Sequence, residues 1–560
     1  MMNKFKISFS SLVALTSFHR NLQFLAKIVE SSSNFWASHK MDRGNDSSSS
    51  SEIQEDRISS RIVEDRISSG IEEDRISELP DSLIHHILSF MDIEYAVQTC
   101  ILSRRWRYIW TSMPLLKFDD SIHYYKEEEP DQEFSDECYD YQESTEEKLE
   151  RATKRYIKFV NQVLNLRGDY DIQRFHIEFV RFRPDVSEIH NWIDTAVNGN
   201  VQVLIFRSYV EGVLFKSENG FVIPPCLCTC QSLTKMELGL WGWEYGDSRI
   251  ILPHKMSLPR LKSLRLSLHD MAFYNEKLTN RFFASFPSLE SLIMETGSFG
   301  IHNMNLQISL PKLKYFKFNS QSWESGNSRY YKSNCEVKLH APSLSSFIFN
   351  GHVSTSFTLE NLSSLAIADI EMNVKSEDRV SIYSTEICEE KKEMYAQGTM
   401  GLLRGIHSVK VLKLHDSVLK ALGGAPDILD TQLPEYYNLQ QLELDAYLTA
   451  ECLHSIFSIL KSSPRIESIS LWSQGNFLNP LLYPYCDEVK FNPENIGDYW
   501  DAGLSMSCMI CQVKFVEIKG LSGYVTELKF LEILLKHATG LEKVVISSCE
   551  LNKARKGRNG

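Results

Sequence analysis

The 560-residue chain lacks the marks of the common catalytic families. It has no glycine-rich phosphate loop, no Gly-x-Ser-x-Gly elbow and no His-Glu-x-x-His pair. Its 16 histidines are scattered. No enzyme reading has a motif behind it, and no cofactor or metal is called for. A basic surplus is also missing. The formal net charge is -13, and residues 119–150 alone hold fourteen Asp or Glu against two Lys, so the remainder is nearly neutral. Such a balance argues against a nucleic-acid partner. No apolar run reaches the roughly 18 residues of a membrane helix, which argues against a membrane partner. The 12 cysteines show no tight framework spacing and fit reduced thiols in nucleus or cytoplasm better than a disulfide scaffold. What the chain does have is 43% hydrophobic residues, enough to bury a large core spread over two or three folded units.

Residues 1–72 form an N-terminal extension. Lys4, Lys6, Arg20 and Lys27 surround "SFSSLVALTSF", and both a targeting segment and an upstream extension ahead of Met41 stay open. A Ser-rich charged tract follows over 42–72, too poor in apolar residues to pack. Glu-Asp-Arg-Ile-Ser occurs three times, at residues 55, 64 and 73. Only the third copy runs into an apolar helix pattern, "ELPDSLIHHILSF". There Pro80 suits a first turn, Asp81 favours the helix N-terminus, and Leu83, Ile84, Ile87, Leu88 and Met91 fall on one stripe. A second apolar segment, "AVQTCILS", leads to "SRRWRYIW", with Trp106, Ile109 and Trp110 on one face and Arg104, Arg105 and Arg107 on the other. So small a unit cannot enclose every one of these side chains, so a partner should cover some of them.

Residues 74–118 resemble the F-box of the plant F-box proteins with leucine-rich repeats. The likeness rests on Asp74-Arg75-Ile76-Ser77, Leu79-Pro80, Ile87-Leu88, Ala96-Val97, Leu102-Ser103 and Arg105-Trp106-Arg107. One departure is Met91-Asp92, where the family has Leu-Pro; this should loosen the turn into the second helix. The resemblance implies docking to a Skp-type adaptor and through it to a cullin-RING ubiquitin ligase. It places Leu79, Pro80, Leu83, Ile84, Ile87, Leu88, Val97, Leu102 and Trp106 against the adaptor. For Trp106 an interior role is equally open, because a small bundle needs a central aromatic.

Beyond an acidic linker at 119–150, read as a solvated loop, order returns with a helical stripe at Ile157, Val160, Val163 and Leu164, then alternation at Ile172, Phe175, Ile177 and Phe179. From there to about residue 500 one pattern recurs: "LPRLKSLRLS", "FPSLESLIME", "LPKLKYFKFN", "APSLSSFIFN", "YYNLQQLELD" and "SPRIESISLW". Alternation requires a strand, and one strand cannot cover its own apolar face, so the repeats must stack. The fold class expected is an α/β solenoid: a small three-helix F-box over 73–118, then a leucine-rich-repeat horseshoe over 151–500. Residues 371–407 and 473–507 interrupt the rhythm and read as candidate insertions or loop drift. Residues 501–550 resemble the FBD module that closes many members of the family, expected to cap the solenoid as strand, helix and strand, ahead of a basic tail at 551–560. Alternation in "CLCTC" at Cys226, Cys228 and Cys230 favours buried structural thiols over a zinc site.

The function this implies is a non-catalytic substrate receptor of a Skp, cullin and F-box ubiquitin ligase, its repeats holding an as yet unknown target protein. The outward strand positions Arg265, Lys317, Lys413, His415, Glu443, Asp445, Trp472, Glu517 and Lys519 are the candidate target-facing residues. Two other readings stay open: a receptor for a small hormone-like ligand coupled to the same ligase, and a repeat scaffold without ligase activity.

Overall fold

The computed structural model describes residues 79–120, 145–209, 221–240, 250–268, 275–296, 305–320, 335–352, 355–373, 389–446, 448–473, 510–521 and 525–548. All lie in one compact unit, Ile76–Gly560. The readings of residues 1–72, most of the acidic linker and the interruption at 473–507 fall outside the described residues, apart from Ser473.

Three short helices open it: α1 (Asp81–Leu88), α2 (Ile93–Gln98) and α3 (Trp106–Ile109). Pro80 stands at the N-cap of α1, where its missing N–H costs nothing, and its carbonyl accepts from Leu83 and Ile84. The stripe read from the sequence divides here. Ile84 and Leu88 are enclosed with Ile93, Ala96, Trp106, Ile109 and Trp110, whereas Leu83 is 49% exposed. In the turn at Met91-Asp92, Lys117 reaches Asp92 at 2.8 Å.

The next strand, β1 (Leu115–Asp119), belongs at once to the end of this helical unit and to the repeat sheet. There follow α4 (Thr145–Arg167), β2 (Arg174–Phe179), α5 (Val186–Asn198), β3 (Val203–Ser208), β4 (Phe221–Val222), β5 (Lys235–Leu240), β6 (Ile250–Ile251), β7 (Ser263–Leu268), α6 (Glu276–Ala284) and β8 (Ser291–Thr296). The chain continues with β9 (Asn305–Ser309), β10 (Tyr315–Ser320), β11 (Cys335–His340), β12 (Ser346–His352), β13 (Thr355–Glu360), β14 (Ile367–Asn373), α7 (Glu389–Gly405), β15 (Val411–His415), α8 (Asp416–Gly423) and α9 (Pro426–Gln432). It closes with β16 (Gln441–Asp445), α10 (Ala450–Lys461), β17 (Ser468–Trp472), β18 (Phe515–Leu521), α11 (Val525–His537) and β19 (Lys543–Ser548). The helix α4 shows that the acidic stretch is already helical from Thr145, short of the linker boundary read at residue 150.

Fourteen of the strands make one parallel sheet in the order β1-β2-β3-β5-β7-β8-β10-β12-β14-β15-β16-β17-β18-β19, the α/β solenoid expected. Its inward row runs Leu116, Phe175, Leu204, Met236, Leu264, Leu292, Phe316, Phe347, Ala368, Leu412, Leu442, Ile469 and Val516, all buried. Each covers its neighbour, which is why an isolated repeat would not fold. The second layer carries helices at both ends and, between α6 and α7, a three-stranded parallel sheet β9-β11-β13. There the core is aromatic: Phe316 stacks on Phe347 and Phe318 on Phe349, with ring centroids 5.8 and 5.7 Å apart, and Phe357 of β13 meets Phe349 edge-on at 5.0 Å.

Two expectations need correction. Within 371–407 lies α7, a second-layer helix of its own repeat rather than an insertion: Tyr395, Met400, Leu402 and Leu403 are buried, and Gly405 lies so close to Leu359 that a Cβ would stand 2.7 Å from it. The cysteine trio does not alternate along a strand. Leu227–Thr229 is a 3₁₀ turn that buries Cys228 and Cys230 and leaves Cys226 half-buried. At the far end β18, α11 and β19 close the main sheet as strand, helix and strand, as expected, with a shift in the β18–β19 register between Lys519 and Leu521. Ile546, at an inward position of the last strand, is 47% exposed.

Candidate functional site

Two surfaces carry the sequence-derived site residues. On the helical unit, hydrogen bonds set the helices around the buried Trp106. The His85 ring Nε2 donates to the Ile109 carbonyl at 2.8 Å, Trp110 Nε1 donates to the Arg107 carbonyl at 3.1 Å, and Arg105 bonds Asp81 at 2.5 Å and the Leu79 carbonyl. Of the nine residues assigned to the adaptor, Ile84, Leu88 and Trp106 are turned inward and cannot present side chains to a partner. They are the core that fixes the rest. Leu79, Ile87 and Val97 are half-buried, and Pro80, Leu83 and Leu102 are exposed. The sequence reading missed three apolar neighbours: Phe90 at 79% exposure, Tyr108 at 62% and Ile101 at 54%. Phe90 packs edge-on against His86, 5.0 Å between centroids. Its signal was position, two residues past the end of α1 and directly before Met91 of the stripe.

This helical unit is tied to the repeats by buried polar groups. Arg167, at the end of α4, donates to the Met113 carbonyl and, at 3.1 Å, to that of Asp171, and burial pulls its guanidinium down to about 10. Asp120, directly after β1, is fully buried and accepts from the backbone N–H groups of Val180, Arg181 and Phe182 at 2.6, 3.0 and 2.5 Å. Burial raises its carboxyl above the ordinary value even against those three donors.

On the main sheet all nine target-facing candidates occupy outward rows, but most are engaged with one another. Arg265 clasps Glu295 through Nη2 at 2.8 and 2.9 Å and lies 3.7 Å from Glu237. Arg207 bridges Glu237 at 2.7 Å and Glu178 at 3.2 Å, and His176 meets Glu178 at 3.1 Å. The His176 hydrogen bond, helped by Arg207, holds the Glu178 carboxyl below its usual range. Farther along, Asp369 receives His415 at 3.0 Å and Lys413 at 3.5 Å, while the other His415 nitrogen lies 3.6 Å from Asp445. Burial pushes Asp369 up, but His415 and Lys413 outweigh it and leave the carboxyl lowered. Glu443 accepts from Gln441 at 2.6 Å. Trp472 is 54% exposed, with Lys519 4.8 Å from its ring centroid and 3.1 Å from Glu517. Lys317 stands half-buried on β10. The sequence reading missed Arg207, Glu178, Glu237, Glu295 and Asp369, whose partners lie on neighbouring strands about thirty residues away and more.

Comparison with known proteins agrees with this geometry. Residues 76–118 match the F-box domain family, and residues 189–387 match the leucine-rich repeats of FBD-associated F-box protein At5g56370. Among similar curated proteins of Arabidopsis thaliana are the putative F-box protein At1g58310, 26% identical over 70% of this chain and 72% of its own length, and the F-box/LRR-repeat protein At4g14103, 26% identical over 70% of this chain and 90% of its own. The F-box/LRR-repeat protein At3g58930 is 24% identical over 84% of this chain and 89% of its own length. With an F-box match ahead of a match to FBD-associated repeats, this chain has the domain order of the plant F-box/LRR-repeat proteins it is similar to.

Proposed function

We propose that the protein is the substrate receptor of a Skp, cullin and F-box ubiquitin ligase, docking a Skp-type adaptor through its helical unit and a target protein through the outward face of its main sheet. F-box/LRR proteins generally act in this way and are typically non-catalytic adaptors. The observation that carries the reading is the exposed apolar group Leu83, Phe90, Ile101, Leu102 and Tyr108 on an F-box whose own core is already complete. Such a group on so small a unit calls for a covering partner. Catalysis would then be by proximity, raising the effective concentration of target lysines near the ubiquitin-loaded enzyme. The thiols of Cys100 and Cys228, unbridged among the described residues, support residence in a reducing compartment, nucleus or cytoplasm.

The test is capture of purified Skp-type adaptors by the full chain, beside a Leu83→Asp, Leu102→Asp variant whose fold is checked by circular dichroism. Capture that the variant loses while remaining folded supports the reading. Failure of the intact chain to hold any adaptor of a broad panel sinks it.

A further inference from the structure

The two charge networks on the outward face are largely closed, and between them the face changes character. Lys317, on β10, has no ion-pair partner among the described residues. Its register neighbours are apolar: Ile293 on β8 and Ile348 on β12, both half-buried. Two residues along β10, Asn319 Oδ1 is buried and accepts no hydrogen bond among the described residues. Two residues back, Tyr315 heads a second outward row that continues through Ser346 to Ile367, which is 46% exposed. A cation without an anion among the described residues, set among isoleucines, leaves a charge that a ligand would satisfy.

We infer that this patch docks an extended segment of the target protein carrying an aspartate or glutamate flanked by apolar side chains, with Lys317 taking the carboxylate. The inference rests on the reading that the repeat face receives the target, and it adds the chemistry of what is received. The carboxylate follows from charge complementarity, since Lys317 is a cation with no acid paired to it among the described residues. A phosphate is disfavoured because it is best held by a guanidinium fork, and the fork on the same face, Arg265, is already closed on Glu295. The apolar flanks follow from Ile293, Ile348 and Ile367, which line the ground on either side. The networks on both sides act as borders, their charges spent on each other, so a segment displaced along the sheet meets no free cation of this row.

The experiment is selection of a random peptide library displayed on phage against the full chain, followed by affinity measurement of the enriched peptides on the intact chain, on Lys317→Glu and on Lys338→Glu. The last reverses a lysine of β11, in the second layer, and controls for net charge. Enriched peptides should place an acid between apolar residues and bind about tenfold or more weakly to Lys317→Glu. They should keep their affinity for Lys338→Glu, and peptides with the acid changed to lysine should recover binding on Lys317→Glu, which also shows that this variant is folded. Enrichment without an acid, equal binding to Lys317→Glu, or no enrichment at all overturns the site. Fusing an enriched peptide to a lysine-bearing carrier and supplying adaptor, cullin and RING protein separates the two readings. Binding that depends on Lys317 without ubiquitin transfer keeps the patch and removes the ligase role. Adaptor capture without peptide binding does the reverse.

Discussion

Leu102 and Trp106 stand close together in one motif and do opposite work. Trp106 is enclosed, so Trp106→Ala opens a cavity and should cost about 3–5 kcal/mol, read as a lower denaturant midpoint together with lost adaptor capture. Leu102 is exposed, so Leu102→Asp should change stability by no more than about 0.5 kcal/mol while removing capture. The motif shows that both residues matter and not which way each points, because facing depends on how three helices meet. A second residue-scale expectation concerns acid. Glu178 has a folded-state pKa below its ordinary 4.5, first through the His176 hydrogen bond. A group lowered in this way adds stability that is present above the ordinary value and lost as pH falls through the lowered one. Glu178→Gln should therefore cost about 1 kcal/mol at neutral pH, and its deficit relative to the intact chain should close below about pH 4, checked by thermal melts across that range.

At the scale of the element, the strands were legible and the second layer less so. Each strand advertises itself by alternation, as in "LPKLKYFKFN", because one face is always buried. The second layer alternates between helix and strand: "NLQIS" and "CEVKLH" form β9 and β11, whereas "EEKKEMYAQGTMGLLRG" forms α7. That choice is made by which neighbour is available to pair, which no single segment records. Of the cysteine trio, Cys228 and Cys230 are buried as expected, but by a 3₁₀ turn rather than a strand, which a spacing of two over five residues is too short to distinguish. One element-scale position is exacting. Gly520 in β18 has φ +78° at the break in register with β19, and a Cβ there would lie 2.4 Å from the Ser473 carbonyl oxygen. Gly520→Ala should cost about 2 kcal/mol or more, and hydrogen exchange should show faster opening of β17 and β18 while β1 to β8 stay protected.

For the whole molecule, the joint between F-box and repeats decides behaviour. The strand β1 ends the F-box match and pairs with β2 of the solenoid, and the bonds of Asp120 to Phe182 and of Arg167 to the Met113 carbonyl lock the two parts. The sequence reading set a boundary at residue 118, where composition turns acidic; composition reports solvent exposure and cannot register that the last ordered strand before the acids is already the first of the sheet. Calorimetry should accordingly find a single transition for F-box and repeats. Asp120→Ala, which strands three N–H groups, should split it into two, the F-box melting first.

That shared strand also makes the sheet a ruler. Six strand steps separate β1 from β10, and each step is about 4.8 Å, so Lys317 lies roughly 29 Å along the sheet from the strand that anchors the docking helices. The interval comes only in whole repeats. A chain of this design changes its reach by gaining or losing a repeat, in jumps of one strand spacing, and a lysine on the target comes within range or falls out of it by the same increments.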